Sequence, residues 1–150
     1  MKRFVAVILL MLTLCSCGAA PIAVNVVDAA ALLHGELTFD DIMSSMDTAG
    51  ICRIFALDQE EVVSASGFVS TGATAEEIFV FEVVEGRIDA VTAAIDAHMV
   101  YMIDGYSDYG PQEVPKLENA VREIHGNYVF LCVCKEPAQA KAVIGQIVGK

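Results

Sequence analysis

The residues best suited to chemistry in this 150-residue chain lie in one short segment, Asp104 to Glu113. Carboxylates can bind a cation, and paired tyrosine rings can stack on a sugar ring or a peptide. The spacing of the acids does not match an EF-hand calcium loop. We therefore predict a ligand-binding surface made by five residues: Asp104, Tyr106, Asp108, Tyr109 and Glu113. A structural role is the simpler alternative, in which the tyrosines pin the segment to the core and the acids cap nearby amides.

The sequence contains no catalytic constellation. The three histidines, His34, His98 and His125, lack the i, i+4 spacing of a zinc-binding helix, and there is no Gly-x-Ser-x-Gly elbow. A pair of Cys132 and His98 is conceivable, but Cys132 shares a strand face with aromatic residues and is expected in the core. We predict no catalytic residue, no metal site and no cofactor. A cell-wall-directed hydrolase or transferase that uses the carboxylates of the segment stays the alternative to a binding module.

The start of the chain has the pattern of a lipoprotein signal peptide. A basic start is followed by the apolar run Phe4 to Leu12, which is too short to span a bilayer. The following Leu14-Cys15-Ser16-Cys17 resembles the lipobox of bacterial lipoproteins. Because the residue before the cut must be small, Ser16 favours Cys17 over Cys15 as the lipidated residue. An ordinary signal peptide cut near Ala19-Ala20-Pro21 is the alternative.

These features predict three regions: a signal peptide over residues 1–16, the lipidated Cys17 and a tether over 17–25, and a single domain over 26–150. Acyl chains such as palmitate would hold the protein to the extracytoplasmic face of the cell membrane. The expected partners are the membrane, through the lipid on Cys17, and an unknown envelope protein or small ligand.

The net charge of the mature chain limits the classes of partner that it can bind. Residues 17–150 contain seven basic and 20 acidic residues, for a net charge of −13. Such a surface repels nucleic acid, so no nucleic-acid partner is predicted. Solubility explains the charge most simply, and a cationic ligand or divalent metal is the sharper alternative.

Three cysteines follow Cys17 in the chain: Cys52, Cys132 and Cys134. Disulfides are permitted outside the cytoplasm, but Cys132 and Cys134 lie two apart on one strand, where a bridge would be strained. We expect buried free thiols. A disulfide from Cys52 to one of the other two stays open.

Hydrophobic periodicity and turn residues predict the elements that position the candidate segment. The N-terminal part reads as a helix from Val26 to Leu33, a turn opened by Thr38, and a helix from Ala49 to Leu57 with a strand, Cys52 to Leu57, as the rival. Two strands, a helix, a loop, a hairpin and a last helix follow: Glu61 to Thr71, Glu77 to Val84, Arg87 to Ile103, Asp104 to Pro115, Glu118 to Ile124 with Asn127 to Cys134, and a helix from Pro137.

The order β-β-α-β-β-α behind a helical N-terminus predicts an α+β fold. We expect a mainly antiparallel four-stranded sheet, made of two hairpins, with amphipathic helices packed on it. In Ile78 to Val84 both faces are largely apolar, which suits a central strand covered on both sides or a strand at an interface.

Several short segments agree in order with a known family. They are the lipobox cysteine and the stretches Gly72 to Ile78, Tyr106 to Glu113, Glu118 to Val121 and Gly126 to Val129. Together they resemble the bacterial domain-of-unknown-function family 4358, a group of small lipoproteins chiefly from Gram-positive anaerobes. The resemblance covers about residues 30–148, with His125 as a departure at the hairpin. It implies an envelope location and a compact α+β domain, and it implies no activity, so no catalytic residue is carried over.

Overall fold

The computed structural model describes residues 23–149. The predicted signal peptide, Cys17 and most of the predicted tether lie outside these residues. In the described part, helices and strands follow in this order: α1 (Val26–Glu36), β1 (Ser44–Met46), α2 (Thr48–Ile54), β2 (Val62–Val69), β3 (Glu77–Val83), α3 (Ile88–Tyr109), a 3₁₀ turn (Pro111–Glu113), α4 (Val114–Glu118), β4 (Val121–His125), β5 (Tyr128–Val133) and α5 (Pro137–Ile147).

The five strands form one antiparallel sheet in the order β1-β2-β3-β5-β4. The predicted α+β class is confirmed, but the prediction of four strands is wrong by one. Strand β1 pairs Ser44 to Met46 with the end of β2. Its three residues, Ser-Ser-Met, carry no alternation of apolar side chains, so the sequence pattern could not indicate it.

Helices cover both faces of the sheet. On one face α1 and α5 pack over Ile78, Val80 and Phe130, and on the other α2 and α3 pack over Phe79 and Phe81. Alternate side chains along β3 therefore pack into two separate hydrophobic cores, one on each face of the sheet. Strand β3 is a central strand covered on both sides, which leaves no apolar sheet face open in the described part of the chain.

The predicted loop from Asp104 to Pro115 is wrong, because α3 continues to Tyr109. The 3₁₀ turn and α4 then occupy most of the remaining segment. Gly105 and Ser107 are poor helix formers, which is why the sequence indicated a loop. Tyr106 lies seven residues after Met99 on the same buried stripe, so tertiary packing extends the helix past its weak residues.

Other local predictions had mixed outcomes. Thr48–Ile54 is helical, as predicted, and Asp47 caps it by accepting a hydrogen bond from the Gly50 amide at 2.8 Å. The turn expected to open at Thr38 contains no helix. The hairpin turn at Gly126 and Asn127 is confirmed, with φ of 62° at Gly126.

The folded domain has two opposite ends. We call them the tether end, where the predicted tether joins α1, and the groove end, which carries the surface groove described below. At the tether end, Val24 packs against the same core as Ile147, where α1 begins and α5 finishes. At the groove end, the Gln139 side chain donates to the Glu36 carbonyl, where α1 finishes and α5 begins. Strand β5 finishes and β3 begins at the groove end, since Glu77 pairs with Val133. Among the described helices, none is both long and apolar enough to cross a bilayer.

Candidate functional site

The five residues of the predicted ligand-binding surface lie at the groove end, on α3 and the 3₁₀ turn that follows it. Asp104, Asp108 and Tyr109 are exposed, whereas Tyr106 and Glu113 are buried. The structure therefore divides the set. Two members bind the chain's own backbone, and three face solvent.

Tyr106 and Glu113 hold the loop between β2 and β3, residues 70–76. The Tyr106 hydroxyl donates to the carbonyls of Gly72, at 3.1 Å, and Thr74. The Glu113 carboxylate accepts from the Ala75 amide at 3.0 Å. Burial, and next the negative charge of Glu113, raise the pKa of Tyr106, so its hydroxyl stays a donor at neutral pH. These contacts fix the loop against the end of α3.

Lys116 lies at the centre of a second polar cluster beside this loop. Its ammonium contacts Glu113 at 2.9 Å, Asp40 at 3.1 Å and Glu76 at 3.2 Å. Burial alone would lower the pKa of Lys116, but the hydrogen bonds that it donates to Glu113, Asp40 and Glu76 outweigh burial and raise the pKa. The cluster is an internal ion network, since each of its charges already has an opposite partner.

Glu77, the next residue after Glu76, points to the opposite face of the sheet. Both of its carboxylate oxygens lie 2.9–3.0 Å from Nε2 of His98 on α3. Burial raises the pKa of Glu77, and the contact with His98 offsets only part of that effect. Two adjacent buried acids thus each receive a basic partner, Lys116 for Glu76 and His98 for Glu77.

The exposed side of α3 at the groove end carries an open groove of about 300 Å³, which we call the tyrosine groove. Tyr101, Gly105 and Tyr109 lie at i, i+4 and i+8, so they form one stripe along the helix. Tyr101 and Tyr109 are each 74% exposed, and the glycine leaves a notch between the two rings. Tyr106 and Gly72 form the inner wall, together with Met102.

A second depression of about 200 Å³ continues along α3 and shares Tyr101 with the tyrosine groove. Its largely apolar walls come from α2, the two residues after α2, and α3, with His98 at one side. They include Ile54, Ala56 and Ala97. Ala56 has φ of 51°, the left-handed conformation that ends α2. The two depressions meet at Tyr101 and form a strip along the outer side of α3.

The rim of the tyrosine groove is acidic. This rim consists of Asp104 and Asp108, which lie outside the residues that line the groove but are exposed on the same turns of α3, three residues after Tyr101 and Gly105. The sequence from Ile88 to Pro115 contains no lysine or arginine. The last turn of α3 also lacks a basic residue, so nothing on the helix offsets the negative end of its dipole.

Sequence reasoning missed Tyr101, Gly105 and Lys116. A helical reading of residues 104–109 would have shown Tyr101, Gly105 and Tyr109 on one stripe. Lys116 is the only lysine or arginine between Arg87 and Arg122 in a strongly acidic chain, which could have indicated an ion-pair partner.

The remaining reactive side chains of the described residues are dispersed. Cys52 packs on one face of the sheet and Cys132 and Cys134 on the other, and all three are buried free thiols, as expected. No Cys132–His98 pair forms, because these side chains lie on opposite faces. No three His, Cys, Asp or Glu side chains within residues 23–149 are grouped so that they could hold a metal ion.

Comparison with known proteins agrees with the family resemblance. No curated protein and no solved structure matches the chain. A family described as Domain of unknown function (DUF4358) matches residues 37–134, a span that contains the whole sheet, α3 and the tyrosine groove but neither α1 nor α5. The match covers about two thirds of the sequence. The chain therefore belongs to the DUF4358 family.

Proposed function

We propose that this protein is a binding module of the cell envelope, anchored by a lipid on Cys17, that takes its ligand in the tyrosine groove. The observation that carries the proposal is the stripe of Tyr101, Gly105 and Tyr109. Two largely exposed tyrosine rings on either side of a gap are well suited to stacking on a ligand.

Gly105 supports this reading because packing does not require a glycine there. A Cβ atom added at Gly105 would meet nothing within 4 Å. Glycine inside a helix costs about 1 kcal/mol relative to alanine. What distinguishes Gly105 is its position, because its missing side chain keeps the notch between Tyr101 and Tyr109 open.

The position of the groove in the fold also supports a binding role. The tether would enter the domain at the tether end, and the groove lies at the other end of α3, a helix of 22 residues and about 33 Å. The eight residues between Cys17 and Val26 reach at most about 29 Å. A domain held by this tether would present the groove away from the bilayer, where envelope ligands can reach it.

The geometry does not favour the hydrolase or transferase alternative. A glycosidase needs two carboxylates that flank a bound substrate. Glu113 is buried and already bonded to Ala75 and Lys116, while Asp104 and Asp108 are exposed on a convex helix surface. The described residues offer no cleft between two free carboxylates.

Lipid anchoring is tested on the full chain in its host or in a bacterium with the lipoprotein pathway. Labelled palmitate should enter the wild type and Cys15→Ala, but not Cys17→Ala, which should also leave the membrane fraction. Label in Cys17→Ala would overturn the predicted anchor.

Ligand binding is tested separately with a photo-cross-linking amino acid in place of Tyr109 on intact cells. The control replaces Val63, which is 58% exposed and lies at the tether end of β2. An adduct obtained from position 109 but not from position 63 is expected. The same adducts from both positions, or none from 109, would contradict a ligand in the groove.

A further inference from the structure

We infer that the occupant of the tyrosine groove is a peptide segment of a partner protein that places a lysine or arginine side chain between Tyr101 and Tyr109. The inference rests on the proposed binding function and adds the chemistry of the ligand. Three features of the described structure carry it: the charge around the groove, the aromatic faces, and the strip that continues along α3.

Charge complementarity selects a cation. None of the described residues that line the groove is charged, and the exposed charges next to them on α3 are those of Asp104 and Asp108. The nearby Lys116 is held by Asp40, Glu76 and Glu113, so it does not neutralise the rim. The unopposed C-terminal end of α3 adds partial negative charge at the same place. An anionic ligand would meet repulsion from each of these groups.

The two tyrosine rings provide a specific binding position for the cation. The faces of tyrosine rings attract ammonium and guanidinium groups. Tyr101 and Tyr109 begin about 12 Å apart along the helix axis, eight residues at 1.5 Å each. With glycine between them, a narrow cationic side chain can enter the notch between the rings and reach the rim carboxylates.

The openness of the site favours a peptide over a small molecule. Small-molecule sites enclose most of their ligand, whereas Tyr101 and Tyr109 remain 74% exposed. The apolar depression beyond Tyr101 provides a second contact for the same chain, lined by Ile54, Ala56 and Ala97. The strip therefore fits a segment with a basic residue next to an apolar one.

Intrinsic tyrosine fluorescence offers a direct assay. The sequence has no tryptophan and four tyrosines, and three of these line the groove. The full-length protein, purified in detergent, is titrated with three pools of capped heptapeptides that differ only at a fixed central residue. That residue is lysine, its uncharged analogue norleucine, or glutamate, and the flanking positions are randomised among small and apolar residues.

The lysine pool should change the tyrosine emission, with an affinity that falls as salt rises. Calorimetry then compares variants. Asp104→Asn and Asp108→Asn should each weaken binding about threefold, and Tyr109→Ala about fivefold. The matched control is Asp89→Asn, which removes the same charge from the exposed first turn of α3.

The outcomes separate this inference from the proposed function. Equal binding of the lysine and norleucine pools would overturn the inference that the groove binds a cation, but not the proposal that it binds a ligand. An equal loss of peptide affinity in Asp89→Asn and Asp108→Asn would have the same meaning. An N-acetylglucosamine oligomer that changes the emission when no peptide pool does would do the same and assign a sugar. No response to any probe, together with no cross-link from position 109, would overturn both.

Discussion

Replacing Gly105 with alanine should stabilise this protein and weaken its ligand binding at once. The residue lies in the last turns of α3, is exposed, and has open space where a Cβ would be. Alanine is favoured over glycine in a helix interior by about 0.8–1.0 kcal/mol. Because no contact has to move, nearly all of this gain should appear in the free energy of unfolding.

The expected gain can be measured by urea denaturation and by thermal melting. For a domain of this size, about 1 kcal/mol corresponds to a rise in Tm of about 4 °C. The added methyl group also enters the notch between Tyr101 and Tyr109. We therefore expect the lysine-centred peptide pool to bind about fivefold more weakly to the more stable variant, since the methyl group would occupy space that the bound lysine side chain needs.

Gly35→Ala is the matched control. Gly35 also lies in a helix, α1, and a Cβ there would likewise meet nothing within 4 Å. It should gain a similar or smaller amount of stability without changing peptide binding. A loss of stability in Gly105→Ala would refute the geometry of α3. A gain in stability with unchanged binding would refute a role for the notch.

Three further predictions concern the buried polar groups and the sheet. Lys116→Met should lower the free energy of unfolding by about 3 kcal/mol in urea denaturation, because it removes the ion-pair partner of the fully buried Glu76. Lys135→Met should cost much less, since Lys135 pairs with the exposed Asp40, and equal losses would contradict the network. Because burial raises the pKa of Glu77, folding favours the neutral form of this carboxyl group. The wild type should therefore lose stability relative to Glu77→Gln as pH rises above 4.5, as measured by urea titrations. A stability difference that stays constant between pH 4 and pH 7 would be evidence against this. Gly67→Ala should destabilise the protein by at least about 2 kcal/mol in thermal melting, because the new Cβ would collide with the carbonyl oxygen of Ile78. A variant as stable as the wild type would show that β2 and β3 can separate at this point.

Local patterns predicted most of the fold because they report directly on burial. The alternation in Tyr128 to Cys134 placed Phe130 and Cys132 on one face and Leu131 on the other, and the two cores contain these residues as the alternation requires. Val91, Ile95 and Met99, which recur at helical spacing, likewise form the buried side of α3. The family resemblance found in the short segments is confirmed over residues 37–134.

Predictions failed where long-range contacts outweigh local preference. Gly105 and Ser107 disfavour a helix, yet Tyr106 packs in the core and bonds to the 70–76 loop, so α3 continues. Strand β1 exists because β2 offers it hydrogen-bond partners, which three residues of sequence cannot reveal. The lipid anchor on Cys17 stays a prediction.

The sequence by itself determined the α+β class, the order of its main elements, the acidity of the chain and the family to which it belongs, since each of these depends on composition or on neighbours in the chain. Only the tertiary structure decided which acids are free. It buried Glu76, Glu77 and Glu113 against partners up to 40 residues away. It left Asp104 and Asp108 beside two exposed tyrosines. Which acids are paired and which are exposed depends on contacts between turns of a helix and between strands of a sheet, and these contacts exist only in the folded chain.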